Sequence, residues 1–145
     1  MSTSTPNTSL AGKVAFVQGG SRGIGAAIVQ RLARDGAAVA FTYVSSAQKA
    51  EDLAATVQAA GGRALAIQAD SADADSLTAA IERAAAHFGR LDILVNNAGV
   101  LAVAPLDEFT LEDLTAPWRR NVRSVFVAAQ AAARPGGHRH EPGQR

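Results

Sequence analysis

The chain has 145 residues, 48% of them hydrophobic and 19% charged, with a formal net charge of +1 and no cysteine. That composition suits a single domain with its own core and excludes a largely disordered chain. It gives no electrostatic reason to expect nucleic acid or an acidic membrane surface as a partner, and no thiolate for a disulfide framework or a cysteine-ligated metal.

The predicted elements alternate strand and helix. Residues 1–10 are Ser/Thr-rich, without a basic start or an apolar stretch, and read as a flexible polar lead into a cytoplasmic protein rather than a secretory signal. One domain is expected over residues 11–133. Val14 to Val17 is a short apolar run ending in glycines, as expected of a strand buried on both faces. Ile24, Ala27, Ile28 and Leu32 then recur at helical spacing, with Arg31, Arg34 and Asp35 opposite and Gly36 as the stop. A second strand covers Ala37 to Tyr43, and Leu53, Ala54, Val57 and Ala60 form the inner stripe of a helix closed by Gly61 and Gly62. A third strand runs from Ala64 to Gln68. Leu77, Ala80, Ile81, Ala84 and Phe88 form the stripe of a third helix, with Asp73 or Asp75 as N-cap and Gly89 past its end. Leu91 to Val95 is the fourth strand. The alternation implies an α/β, Rossmann-type, doubly wound parallel sheet of four strands with helices on both faces.

Gly19, Gly23 and Gly25 sit between the first strand and the first helix, and Asn96-Asn97-Ala98-Gly99 follows the fourth strand. Small residues at a strand-to-helix turn let backbone N–H groups and the positive helix end approach a pyrophosphate. The pattern Gly-x-x-x-Gly-Ile-Gly together with Asn-Asn-Ala-Gly resembles the short-chain dehydrogenase/reductase family over roughly Gly12 to Ala133, within it most of all the 3-oxoacyl carrier-protein reductases and related ketoreductases. The resemblance implies a nicotinamide dinucleotide site in which Gly19, Ser21, Gly23 and Gly25 line the pyrophosphate and Ile24 packs beneath it. It implies further that Asp70 bonds the adenine amino group, that Asn97, Ala98 and Gly99 flank the adenosine ribose, that Asn96 ties neighbouring strands together, and that Asn121 supports the active site. Singly, Asp70 also suits a turn or helix entry, Asn96-Asn97 a polar turn, and Asn121 a satisfied helix asparagine. Gln18 stands where the family usually has Thr.

Charge argues for NADP over NAD. The end of the second strand, Phe41-Thr42-Tyr43-Val44-Ser45-Ser46, has no acid before Glu51 to accept bonds from both ribose hydroxyls and repel a 2′-phosphate. Arg22 supplies a positive charge there, with Tyr43, Ser45 and Ser46 beside it.

The family's reaction on a small-molecule ketone or alcohol needs a proton donor, a tyrosine acidified by a lysine four residues on, and a serine on the substrate oxygen. The one tyrosine is Tyr43, residue 47 is Ala47, and the lysines are Lys13 and Lys49. Only the supporting Asn121 matches. No metal site is expected, because His138 and His140 fall in a polar Gly/Pro-rich stretch that reads as a disordered tail over residues 134–145. Pro117, Arg119 and Arg120 stand where the family is helical and partly apolar, placing two arginines toward the core. A compensated reading-frame slip over residues 115–120 and a second slip near residue 134 account for both oddities; the other reading of the first is a helix starting near Pro117 with Thr115 as cap. The expectation is a C-terminally truncated, aggregation-prone oxidoreductase with an open fourth strand, in which oligomerisation covers part of the exposed surface. The other two readings are a non-catalytic dinucleotide-binding module and a non-functional product of a frameshifted gene.

Overall fold

The structure, a computed structural model, describes residues 8–134. The elements follow in the order β1 (Val14–Gln18), α1 (Gly23–Arg34), β2 (Ala38–Tyr43), α2 (Ala47–Ala59), β3 (Arg63–Gln68), α3 (Ala74–Phe88) and β4 (Ile93–Asn96). Two further helices, α4 (Leu111–Pro117) and α5 (Ser124–Ala133), are joined by a π-helical segment, Trp118–Arg123. All four strands are parallel, in the order β3-β2-β1-β4. The chain therefore winds one way from β1 to β3 and then crosses to the other side of β1, which makes a topological switch between β1 and β4.

Every residue of β1 is buried, because its alternate side chains enter two different cores. Val14 and Phe16 pack with Ala38, Ala40 and Ile67 against Leu77 and Ile81 of α3 and Ala128 of α5. Ala15 and Val17 pack with Val39 and Phe41 against Val29 of α1 and Leu53 and Val57 of α2. Asp73 caps α3 by accepting from the amides of Asp75 and Ser76, and Gly89 ends it at φ 81°. Gly36, at φ 103°, turns the chain out of α1 into β2.

The inner faces of two helices differ from the sequence expectation. In α1 the buried positions are Gly25 and Val29, while Ile24 is 76% exposed and Ala27 is exposed. Ile28 and Leu32 of the expected stripe do pack against the core, together with Ala26 and Ala33, so the buried face is rotated away from Ile24 and Ala27. In α2 the stripe begins one turn earlier, at Ala50, and Ala60 lies outside the helix and is exposed. Thr8 to Leu10, expected in the flexible lead, form a turn in which the Leu10 amide donates to the Asp35 carbonyl at 2.9 Å. The rest of that lead, and the tail with His138 and His140, lie outside the described residues.

The segment around Pro117 is helical from an earlier start. Thr110 Oγ1 accepts from the Asp113 amide at 3.2 Å, and the Asp113 carboxylate accepts from the Thr110 amide at 2.8 Å, a reciprocal cap that starts α4 at Leu111. Thr115 is no cap: its hydroxyl donates back to the Leu111 carbonyl at 2.7 Å. Pro117 has no N–H and its ring crowds the preceding turn, and the helix continues by widening into the π-helical segment before α5. Arg119 and Arg120 do not enter the core: Arg119 is exposed, 3.9 Å from Glu112, and Arg120 reaches Asp70.

β4 pairs with β1 alone, so Ile93, Leu94 and Val95 form a half-buried sheet margin. Beyond it, Leu101, Val103, Leu106, Leu111 and Trp118 are exposed. Among the described residues no helix is long and apolar enough to cross a membrane.

Candidate functional site

A cleft of about 460 Å³ opens at the carboxyl ends of β1, β2 and β4. Its walls are the glycine loop and first turn of α1 (Gly19 and Ser21 to Gly25), the end of β2 through Ser46, and Asn97 to Val100 after β4. Ala69, Ser71 and Arg120 complete it.

The glycine loop is held from both sides. Thr42 Oγ1 accepts from the Gly19 amide at 2.9 Å, and the Thr42 carbonyl accepts from the Gly20 amide at 3.0 Å. From β4, Asn97 Nδ2 donates to the Gly19 carbonyl at 2.9 Å. Gly25 is needed for space: a Cβ there would lie 2.1 Å from the Gly19 oxygen and 2.6 Å from Asn97 Nδ2. Gly23 is needed for conformation, at φ +56°, and faces open space.

That geometry fits a phosphate-bearing dinucleotide. The first turn of the twelve-residue α1 has no acidic residue and no side-chain cap, and Gly23, Ile24 and Gly25 present it to the cleft. Uncapped amides and the positive helix end favour an anion. The lining contains two cations, Arg22 and Arg120, and no carboxylate. Arg22 is exposed and forms no ion pair among the described residues, and Tyr43, Ser45 and Ser46, at and after the end of β2, line the same cleft. Ser46 occupies the N-cap position of α2 without spending its hydroxyl on a cap.

Asn121, on the π-helical segment, clasps the loop after β4 at two points. Its Oδ1 accepts from the Val100 amide at 2.8 Å and its Nδ2 donates to the Val100 carbonyl at 2.7 Å. Ala98 closes against Gly19, where a Cβ built on the glycine would meet it at 3.2 Å, and Gly99 faces Asn121. Asn96 is in register with Gln18 and exposed at the sheet margin. Ile24, expected beneath the pyrophosphate, is an exposed part of the cleft wall.

Asp70 is placed differently from the other expected residues. Asp70 lies between the cleft-lining Ala69 and Ser71, with its carboxylate engaged by Arg120 and its side chain 40% exposed. Sequence reading missed Thr42 and Arg120. Thr42 had a local signal, a polar residue in an apolar strand. Arg120 had none, since its contact with Asp70 spans fifty positions. Among the described residues no group of three or more His, Cys, Asp or Glu is arranged to hold a metal.

A family model described as short chain dehydrogenase matches residues 13–140. The chain belongs to the short-chain dehydrogenase family. The chain is 47% identical over 125 residues to an uncharacterized oxidoreductase of Methylorubrum extorquens, covering 86% of this chain and 50% of that protein. It is 47% identical over 131 residues to a hydroxynaphthalene reductase of Aspergillus fumigatus, with 88% and 48% covered. Among solved structures, a short-chain dehydrogenase/reductase of Serratia marcescens superimposes with a TM-score of 0.85 at 62% identity, covering 90% of this chain and 52% of that one. A short-chain dehydrogenase of Burkholderia cenocepacia in complex with NADP gives 0.84 at 58% identity, with 86% and 51% covered. The chain spans about half the length of the curated relatives it matches.

Proposed function

We propose that this chain is the dinucleotide-binding part of an NADP-dependent reductase of ketones, with a 3-oxoacyl thioester as the substrate type, and that these residues alone bind cofactor without turning substrate over. The observation that carries the cofactor assignment is the end of β2. Ser45 and Ser46 after that strand line the same cleft as Arg22 of the glycine loop, and no carboxylate lines it. A guanidinium and two hydroxyls are complementary to a 2′-phosphate, and a carboxylate would have repelled it. The NADP carried by the Burkholderia cenocepacia structure supports the same reading.

Glycines 19, 23 and 25 with the first turn of α1 would hold the pyrophosphate, Asn97, Ala98 and Gly99 the adenosine ribose, and Asn121 would keep the loop after β4 in place. When bound, the nicotinamide supplies hydride. The proton has no donor of the family's kind in these residues, because the one tyrosine, Tyr43, is followed four residues on by Ala47 and not by a lysine. The domain is assigned to residues 11–133.

Titration with NADPH and NADH by fluorescence tests the assignment. NADPH should bind about tenfold or more tightly, and Arg22→Ala should remove most of that difference. Tighter NADH binding refutes it. Oxidation of NADPH by any ketone refutes the claim of binding without turnover.

A further inference from the structure

The β3 side of the cleft is organised by a contact made across fifty positions of sequence. In an open parallel sheet a dinucleotide crosses the carboxyl ends of the strands, with its pyrophosphate at the loop after β1 and its ribose at the end of β2. The base on that ribose then lies toward the loop between β3 and α3. Ala69 and Ser71 of that loop line the cleft, and Asp70 stands between them with its side chain 40% exposed.

An ionised carboxylate offers about four acceptor positions, two on each oxygen. Asp70 has three of them engaged. One oxygen accepts from the Ala72 amide at 2.9 Å and lies 3.3 Å from one terminal nitrogen of Arg120. The other accepts from the second terminal nitrogen of Arg120 at 3.4 Å. One acceptor position is left, on that second oxygen, and a donor such as the amino group at position six of adenine needs only one.

The Ala72 amide alone would hold the carboxylate at a single oxygen and leave the other free to swing. Pairing with both terminal nitrogens of a planar guanidinium sets the plane of the carboxylate and offsets a charge that would repel the phosphates of a dinucleotide. Arg120 is itself held: the Ser124 hydroxyl donates to its carbonyl, and Arg123 ties the same π-helical segment to the Ala72 carbonyl. We infer that Arg120 is a positioning residue for the base, fixing the Asp70 carboxylate so that its remaining acceptor takes the adenine amino group. The inference rests on the dinucleotide reading of the cleft.

The experiment is a calorimetric titration with NADPH and with its hypoxanthine analogue, which has an oxygen at position six and its donor one ring position away. A fixed carboxylate meets that oxygen unfavourably, whereas a loose one can turn to the neighbouring ring N–H. The unsubstituted chain should bind NADPH about tenfold more tightly than the analogue, and Arg120→Met should cut that ratio to about twofold, with circular dichroism reporting the fold. Asp70→Ala should remove the discrimination, and adding Arg120→Met to it should change the ratio no further, because Arg120 acts through Asp70. Arg120→Lys, which keeps the charge but makes one contact, should fall between parent and Met variant and carries the test if the latter does not fold. An Arg120 variant that weakens both dinucleotides equally, leaving the ratio at the parent value, overturns the positioning role. A parent that does not discriminate overturns it too and leaves the cofactor site standing. Failure of the parent to bind either dinucleotide overturns the cofactor reading itself, and the inference with it.

Discussion

Replacing Gly25 by alanine sets two effects against each other, and the distances decide between them. Gly25 is the third residue of α1, and a helical Gly→Ala change ordinarily stabilises by ~1 kcal/mol. Here the new methyl would stand 2.1 Å from the Gly19 carbonyl oxygen, far inside a ~3.5 Å van der Waals separation, and 2.6 Å from Asn97 Nδ2. Neither neighbour is the free end of a flexible chain, since the two are hydrogen-bonded to each other at 2.9 Å. Forcing them apart costs ~1–3 kcal/mol of overpacking and ~1 kcal/mol for the bond. The net expectation is destabilisation of ~1–3 kcal/mol, a melting temperature lower by roughly 5–10 °C, and NADPH affinity weaker by about tenfold or more as the Gly19 carbonyl is displaced. Thermal melting followed by circular dichroism, with NADPH titration on the same samples, reads both. Gly23→Ala is the control, because it carries the left-handed backbone cost of ~1–2 kcal/mol without a clash. A Gly25→Ala protein that melts at or above the parent temperature and binds NADPH equally well refutes the reasoning.

Three further outcomes are expected. The Arg90 guanidinium, hydrogen-bonded to Asp92 at 2.7 Å, holds the Asp92 carboxyl below its ordinary value, with help from the Val14 amide. Because the folded pKa is the lower one, this stabilisation is complete above the ordinary carboxylate value and is lost as pH falls through the depressed one. Urea midpoints measured against pH should show that acid loss, and Asp92→Asn should flatten it. Asn121→Ala removes both bonds to Val100, a cost of ~1–2 kcal/mol, and hydrogen exchange should speed up at the Val100 amide before any strand amide. Gln18 is fully buried with neither amide atom bonded among the described residues. Gln18→Met should therefore stabilise the chain by ~1–2 kcal/mol in thermal melts, and a lower melting temperature would reveal a partner for that amide.

The four strands, the first three helices and the glycine loop were legible because their signals are local. Apolar runs such as Val14 to Val17 need burial on both faces, Asp73 and Gly89 mark the ends of α3, and the position of Gly19 to Gly25 between strand and helix follows from sequence order. The reciprocal cap at Thr110 and Asp113 was also there to be read, but Pro117 drew the expected helix start downstream. What sequence could not carry were distant encounters. Whether Arg120 enters the core or meets Asp70 depends on how the π-helical segment lands on the loop after β3. The periodicity of Ile24, Ala27, Ile28 and Leu32 was real, yet the buried face is centred on Val29 because the helix is rotated relative to that stripe.

The order β3-β2-β1-β4 leaves the cleft lopsided. Two strands and their loops stand on one side of β1, and a single marginal strand stands on the other. A dinucleotide laid across β1 would have its adenosine half seated in a finished mould and its nicotinamide half resting on a ledge. The free energy of binding should therefore reside almost wholly in the phosphorylated adenosine moiety, so that adenosine 2′,5′-bisphosphate nearly matches the intact cofactor and nicotinamide mononucleotide contributes little.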